Sequence, residues 1–291
     1  MEHIDFRDQI SKNKRNSVFL MIFVAITIVI LGYVISFAFD PSYFFLIMIV
    51  AIIFSISYTW VNFYNSDKIA ISAVRAKPAD KIKYRDFYRL VESLTVASSL
   101  PMPRLFIMES GSINAFASGR DPKHAVVCVT TGALEKLDRR ELEGVLAHEM
   151  GHIANYDIRF ITLVAVMVGM IAIVSQIFLR SLWFGGGGND NKGSGIFILI
   201  GIALAILAPI VVTLVQLAIS RKREFTADAT AIKFTRNPNG LIGALEKIKK
   251  DSAPEKKVSK ALAPLFFSSP FKGLSSTHPP LEKRIEVLKS M

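Results

Sequence analysis

The fold turns on the stretch LEGVLAHEMGHIANYDIRFITLVAV, residues 142–166. Its first half has the spacing of a soluble amphipathic helix, and its second half is the apolar start of a membrane span. Between them His148, Glu149 and His152 spell H-E-x-x-H. Four residues apart on a helix, the two imidazoles stack on one face, one turn above the other. Both can then reach a single tetrahedral Zn2+. Glu149 is rotated about 100° from His148. That places it beside the ion, where a carboxylate can take the proton of a water whose pKa zinc lowers to about 7. Gly151 leaves one flank of the helix bare. With five histidines in the chain, the pattern arises by chance with a frequency on the order of 0.01 or less. It reads as a site for one zinc ion per chain, not as a coincidental pair on a solvated helix.

The helix itself has independent support. DRRELEGVLAHEMGHIAN opens with Asp138 and Glu141 in capping-box spacing ahead of an apolar run. Catalytic zinc takes three protein ligands and keeps one position open. No third histidine follows in HIANYDIRF, so the third ligand comes from elsewhere. SRKREFTADATA, 220–231, offers Glu224, with Asp228 one turn further on the same face. A glutamate ligand backed by an aspartate on a ligand histidine is a common arrangement. The alternative is a surface carboxylate paired with Arg221 or Arg223.

Connectivity favours the ligand. The chain has 291 residues, 51% of them hydrophobic, and about 20 apolar residues cross a bilayer core. Four blocks qualify, roughly 17–39, 43–64, 160–184 and 196–220. None holds an acidic residue and only Arg180 is charged, which argues against a transporter or channel. Spans three and four form a hairpin through GGGGNDNKGSG, so the helices before and after it lie side by side. His152 is about 8 residues, or about 12 Å, from the membrane, and Glu224 about 4 residues from it. Their levels match to within a turn or so.

The basic residues set the orientation. Lys12, Lys14 and Arg15 precede span one. Lys68, Arg75, Lys77, Lys81, Lys83, Arg85 and Arg89 follow span two, and Arg221, Lys222 and Arg223 follow span four. The positive-inside rule places both termini and residues 65–159 in the cytosol. The net charge of +11 is thus assigned to lipid headgroups and not to nucleic acid. The first block reads as a retained signal anchor. A single cysteine, Cys128, excludes an internal disulfide. The expected organisation is a cytosolic N-terminus (1–16), a membrane hairpin (17–64), a protease part (65–159), a second hairpin (160–220) and a second protease part (221–291). This is an α-helical membrane protein of four spans carrying one cytosolic α+β domain.

Within that domain, Phe87, Leu90, Val91 and Leu94 predict a helix stopped by Pro101 and Pro103. RLFIM (104–108) reads as a strand. INAFASG (113–119) and HAVVCVTTG (124–132) read as a hairpin about RDPK. One strand of so small a set is an edge, and an edge recruits extended peptide. Helix continues after residue 220. Asn237 caps another at Pro238, with Leu241, Leu245 and Ile248 on one face. Residues 251–276 read as irregular, and a short helix follows Pro279–Pro280 with Leu281, Ile285 and Leu288 aligned.

Together, AHEMGHIANYD, RKREFTADA, INAFASG and SSTHPPLEKRI resemble the HtpX-type membrane zinc metalloproteases, bacterial relatives of the CaaX prenyl-protein endoproteases. The resemblance covers nearly the whole chain. It implies a gluzincin-like fold with Glu224 as third ligand, in the bacterial cell membrane, and quality-control proteolysis of unfolded or misfolded membrane proteins under stress. It further implies that His278 stabilises the oxyanion and that Asn114 holds substrate backbone. A helix-start histidine and a turn asparagine are the plainer roles for these two. Asn155 and Asp157 also match the family and are expected to shape the chain at the membrane edge. The competing readings are a CaaX-like processing protease and a non-catalytic scaffold that keeps zinc structurally. A scaffold has no use for Glu149 and would need a fourth ligand.

Overall fold

The computed structural model describes residues 6–36, 41–164, 221–251, 266–267 and 279–291. The expected third and fourth spans lie outside the described residues except for 160–164, and so does His278.

Two long apolar helices open the chain. α1 (Phe6–Ser36) starts well ahead of the apolar block at residue 17, and α2 (Phe44–Tyr64) follows a 3-10 turn at Pro41–Tyr43. At 1.5 Å per residue they are about 46 and 32 Å long, enough to cross a bilayer core. The membrane-capable stretches are Ile10–Ile30 and Phe44–Tyr64. The first therefore begins earlier than expected and includes Asn13. The helices lie against each other, and Ser55 Oγ donates to the Ala25 carbonyl at 3.0 Å. Phe45, Ile53, Ile56 and Trp60 are 60–76% exposed. Such a continuous apolar surface is stable in lipid and not in water. One row of α1 is buried, comprising Asn13, Ser17, Leu20, Val24 and Thr27. Its upper part packs on Phe160, Leu163 and Val164.

The rest is an α/β unit. It runs α3 (Ser66–Ala73), β1 (Lys77–Pro78), α4 (Arg85–Ser98), β2 (Arg104–Met108), β3 (Ala115–Ser118), β4 (Val126–Thr130), α5 (Thr131–Lys136) and α6 (Arg139–Ala154). After the undescribed segment come α7 (Arg221–Thr235), α8 (Pro238–Lys250) and α9 (Leu281–Lys289). The sheet order is β1-β2-β4-β3. β1, which the pattern did not announce, is antiparallel to β2, and β2 is parallel to β4. β3 and β4 form the expected hairpin, with Ala115 opposite Val129 and Ser118 opposite Val126. β3 is thus an edge.

Both sheet faces are covered, so β4 reads as an unbroken apolar run. Val127 and Val129 join the main core with Leu146, Met150 and Leu245. Val126 and Cys128 face the other way, toward Ala70, Met108, Phe116 and Phe266. α6 runs through the centre of this unit. Its capping box is formed as expected. Asp138 accepts from Arg140 and Glu141 N–H, and the Glu141 side chain accepts from Asp138 N–H. Two glycines let neighbouring helices close in. A Cβ on Gly144 would meet Leu241 N of α8 at 2.5 Å. A Cβ on Gly151 would meet Ala227 O of α7 at 3.0 Å. The bare flank read from Gly151 is where α7 lies. α6 ends at Asn155, Tyr156 takes the left-handed conformation (φ 59°), and helix resumes at Asp157.

Candidate metal centre

His148 and His152 lie one turn apart on the buried face of α6, and Glu224 projects from the first turn of α7. His148 is fully buried, and His152 and Glu224 nearly so. The His148 and His152 Nε2 atoms are 3.1 Å apart. His148 Nε2 is 3.7 Å from Glu224 Oε2, and His152 Nε2 is 3.5 Å from Glu224 Oε1. Donors held 2.0–2.1 Å from a tetrahedral zinc stand about 3.3 Å apart. The nitrogen–nitrogen distance and the two nitrogen–oxygen distances, which end on different oxygens of Glu224, bracket that value, and one donor atom from each residue lies within 4.8 Å of the others, so these residues fit an ion with two nitrogen ligands and a carboxylate.

The far side of each ring is tied to a carboxylate. His148 Nδ1 lies 2.8 Å from Asp228 Oδ1, and His152 Nδ1 lies 3.0 Å from Asp157 Oδ2. With Nδ1–H donating outward, both Nε2 lone pairs turn inward. Two lone pairs at 3.1 Å repel unless a cation or a shared proton lies between them. The electrostatics reflect this. Burial, then the Arg284 charge, depress His148 to about 4 despite Asp228. Burial also disfavours charge on His152, but hydrogen bonds to Asp157 and Glu224 outweigh it and hold that ring at about 10. The pair is built to take one positive charge.

Glu149 is buried beside them. Burial, opposed by His152 and reinforced by Glu224, pushes its carboxyl up to about 7, and the Ala117 N–H of β3 donates to it. Asn114 sits at the start of the same edge. Its Oδ1 accepts from Ala115 N–H at 3.0 Å, and its carbonyl pairs with Thr130 N–H. The structure therefore gathers His148, Glu149, His152, Glu224 and Asp228 and places Asn114 on the neighbouring edge.

Three participants escaped the sequence reading. Arg284 of α9 is fully buried. Its Nε and one terminal nitrogen donate to Asp228 at 2.9 and 2.6 Å, and the other terminal nitrogen lies 3.4 Å from Glu224 Oε2. Burial favours an uncharged Asp228, but Arg284 foremost, then His148, hold its pKa below the usual carboxylate range. A signal for Arg284 was present, since it falls at i+3 in the apolar row Leu281, Ile285, Leu288, where a charge has no other reason to be. Asp157, expected to shape the membrane edge, is the partner of His152. Phe267 N–H donates to Ala115 O at 2.8 Å, and its ring packs edge-on against His148 with centroids 4.8 Å apart. Nothing in its irregular surroundings pointed there.

The model of Peptidase family M48 matches residues 81–291. A protease HtpX homolog of Caldanaerobacter subterraneus subsp. tengcongensis is 47% identical over 248 residues, 82% of this chain and 83% of the relative. A protease HtpX homolog of Dictyoglomus thermophilum is 39% identical over 295 residues, 100% of this chain and 96% of the relative. Among solved structures, S. mikatae Ste24p aligns at 17% identity with a TM-score of 0.49, covering 97% of this chain and 66% of that one.

Proposed function

The chain belongs to peptidase family M48 and is a membrane metalloprotease, and on that premise we propose a zinc-dependent endopeptidase that cleaves unfolded or damaged membrane proteins on the cytosolic side. The observation that carries the reading is the triangle of His148, His152 and Glu224 donor atoms, all within 4.8 Å of one another, with the buried carboxylate of Glu149 beside it. His148, His152 and Glu224 would hold one zinc ion. Zinc, when bound, supplies Lewis acidity that polarises the scissile carbonyl and lowers the pKa of water.

The remaining work falls to side chains. Asp228 and Asp157 hold the Nδ1 protons and keep both Nε2 atoms aimed inward. Arg284 holds Asp228 against rotation and offsets the negative charge of Glu224. Glu149, buried beside the ligands, accepts a proton from the attacking water at Oε and returns it to the leaving nitrogen. His278 takes the role of donor to the developing oxyanion. Extended substrate adds to the edge of β3, where Ala115 O receives Phe267 N–H, and Asn114 steadies its backbone. In this reading four spans at 17–64 and 160–220 alternate with protease parts 65–159 and 221–291, both on the cytosolic side of a bacterial cell membrane.

The test is Glu149→Gln in the full chain. It should keep about one zinc per chain by elemental analysis and lose at least about a thousandfold in kcat on a disordered substrate. Glu224→Ala should lose both metal and activity. Turnover that survives Glu149→Gln would remove the proposed base.

A further inference from the structure

The first membrane helix reaches the metal centre. Asn13, on α1, is 2% exposed. Its side-chain amide donates to Asn155 O at 2.9 Å and to Asp157 Oδ1 at 2.6 Å. An amide nitrogen carries two hydrogens, so both are used. The other oxygen of Asp157 holds His152 Nδ1 at 3.0 Å, and Asp157 is fully buried. An unbroken line of hydrogen bonds thus runs from the membrane helix through Asp157 to the ring whose Nε2 faces His148 and Glu224.

The neighbourhood makes that line a constraint and not an incidental contact. Tyr156, between the two acceptors of Asn13, holds a left-handed φ of 59°. A non-glycine residue there is disfavoured and persists only where its surroundings fix it. Asn13 bonds on either side of it, and the Lys14 ammonium lies 4.2 Å above the Tyr156 ring. About two and three turns on, Leu20 and Val24 pack against Phe160, Leu163 and Val164 just beyond the turn. α1 therefore grips the turn that carries Asp157 from two sides.

We propose that Asn13 is a positioning residue: the first membrane helix sets the orientation of His152 by holding Asp157. This rests on the reading of His152 as a metal ligand. The partner of a ligand imidazole is worth about 10- to 100-fold in metal affinity, and a group that holds the partner acts on the same quantity.

The experiment uses the full chain in detergent, with Co2+ as the metal and visible absorption as the reporter of ligand geometry. Asn13→Ala should weaken Co2+ binding about tenfold or more and shift its visible bands. Ser17→Ala is the control. Ser17 is buried on the same face, but among the described residues its hydroxyl bonds only to the Asn13 carbonyl at 2.8 Å, so Ser17→Ala should bind Co2+ as the unaltered chain does. In an Asp157→Ala background, Asn13→Ala should add no further loss, because the residue through which it acts is gone. Unchanged affinity and spectrum in Asn13→Ala would overturn the proposal. So would an equal loss in Ser17→Ala, or losses that multiply in the double variant. Should Asn13→Ala fail to fold, Asn13→Ser keeps a polar group but cannot span both acceptors. It is expected to show the same weakening, and unaltered binding there overturns the proposal equally. His152→Ala, run alongside, must lose Co2+. If it does not, the ligand reading fails and the proposal with it. Normal binding in Asn13→Ala beside lost binding in His152→Ala overturns the proposal alone.

Discussion

A guanidinium shut off from water must be held by charge, and Arg284 is held by Asp228 and Glu224. Removing one partner of a buried pair costs about 3–5 kcal/mol, because the remaining charge stays desolvated. Arg284→Met, of similar volume, should therefore lower the melting temperature in chelator by on the order of 10 °C. A melt that matches the unaltered chain would show that Asp228 does not depend on it. The histidine pair gives a second residue-scale outcome. His152 is held at about 10 and His148 at about 4. Between pH 6.5 and 10 the folded metal-free site thus carries one proton that the unfolded chain has released. The sign follows. That proton stabilises the metal-free fold below pH 6.5 and the benefit fades as pH rises toward 10. At pH 8 a metal must displace it, so about one proton should be released per metal bound. Calorimetry in buffers of different ionisation enthalpy measures this directly, and a buffer-independent heat would contradict it.

At the scale of elements, α6 is placed by its two glycines. Alanine in a helix gains about 1 kcal/mol over glycine by propensity alone. At Gly144 that gain is overruled, because a Cβ would sit 2.5 Å from the Leu241 backbone of α8. Overpacking of this kind costs about 1–3 kcal/mol and forces the helices apart. At Gly151 the overlap is milder, with Ala227 O at 3.0 Å, but α7 carries Glu224. Gly144→Ala should chiefly lower thermal stability, whereas Gly151→Ala should chiefly weaken metal binding. Equal metal affinity in the Gly151 variant and the unaltered chain would separate the helix contact from the site. The edge of β3 makes its own prediction. Its outward groups are already engaged, Ala115 O by Phe267 N–H and Ala117 N–H by Glu149. A substrate strand must use the same row of groups. A proline walked through a disordered substrate should therefore block cleavage at the positions that donate to this edge, since proline has no N–H. Tolerance at every position near the scissile bond would exclude strand addition.

At the scale of the whole molecule, the two described membrane helices and the α/β unit share the grip of α1 on the turn at 155–157. Orientation can be read by cysteine labelling, because Cys128 is buried and gives little background. Val96, on α4, is 83% exposed. Val96→Cys should react with a membrane-impermeant maleimide only after the cells are opened. Ser194→Cys, in the loop expected between spans three and four, should react in intact cells. The reverse pattern would invert the proposed topology.

The sequence alone determined what is local. H-E-x-x-H set His148, Glu149 and His152 in helical register, Asp138 and Glu141 set where that helix begins, and two short apolar runs about the turn residues RDPK set the β3–β4 hairpin. These follow from periods of 3.6 and 2 and from side chains bonding their own backbone, and such interactions span only a few residues. Glu224 and Asp228 were legible because the hairpin expected from the two apolar blocks at 160–184 and 196–220 would return the chain to the level at which it left. Arg284, Asp157 as the partner of His152, Asn13 and Phe267 belong to the other category. Arg284, Asn13 and Phe267 meet the site from elements distant in sequence, as Asn13 does across 144 residues to Asp157, and Asp157, five residues from His152, reaches it only through the left-handed turn at Tyr156. No period or spacing encodes which face of one helix will lie against a turn in another. Only packing decides that, because a buried amide or guanidinium finds its partners where the closed core leaves them.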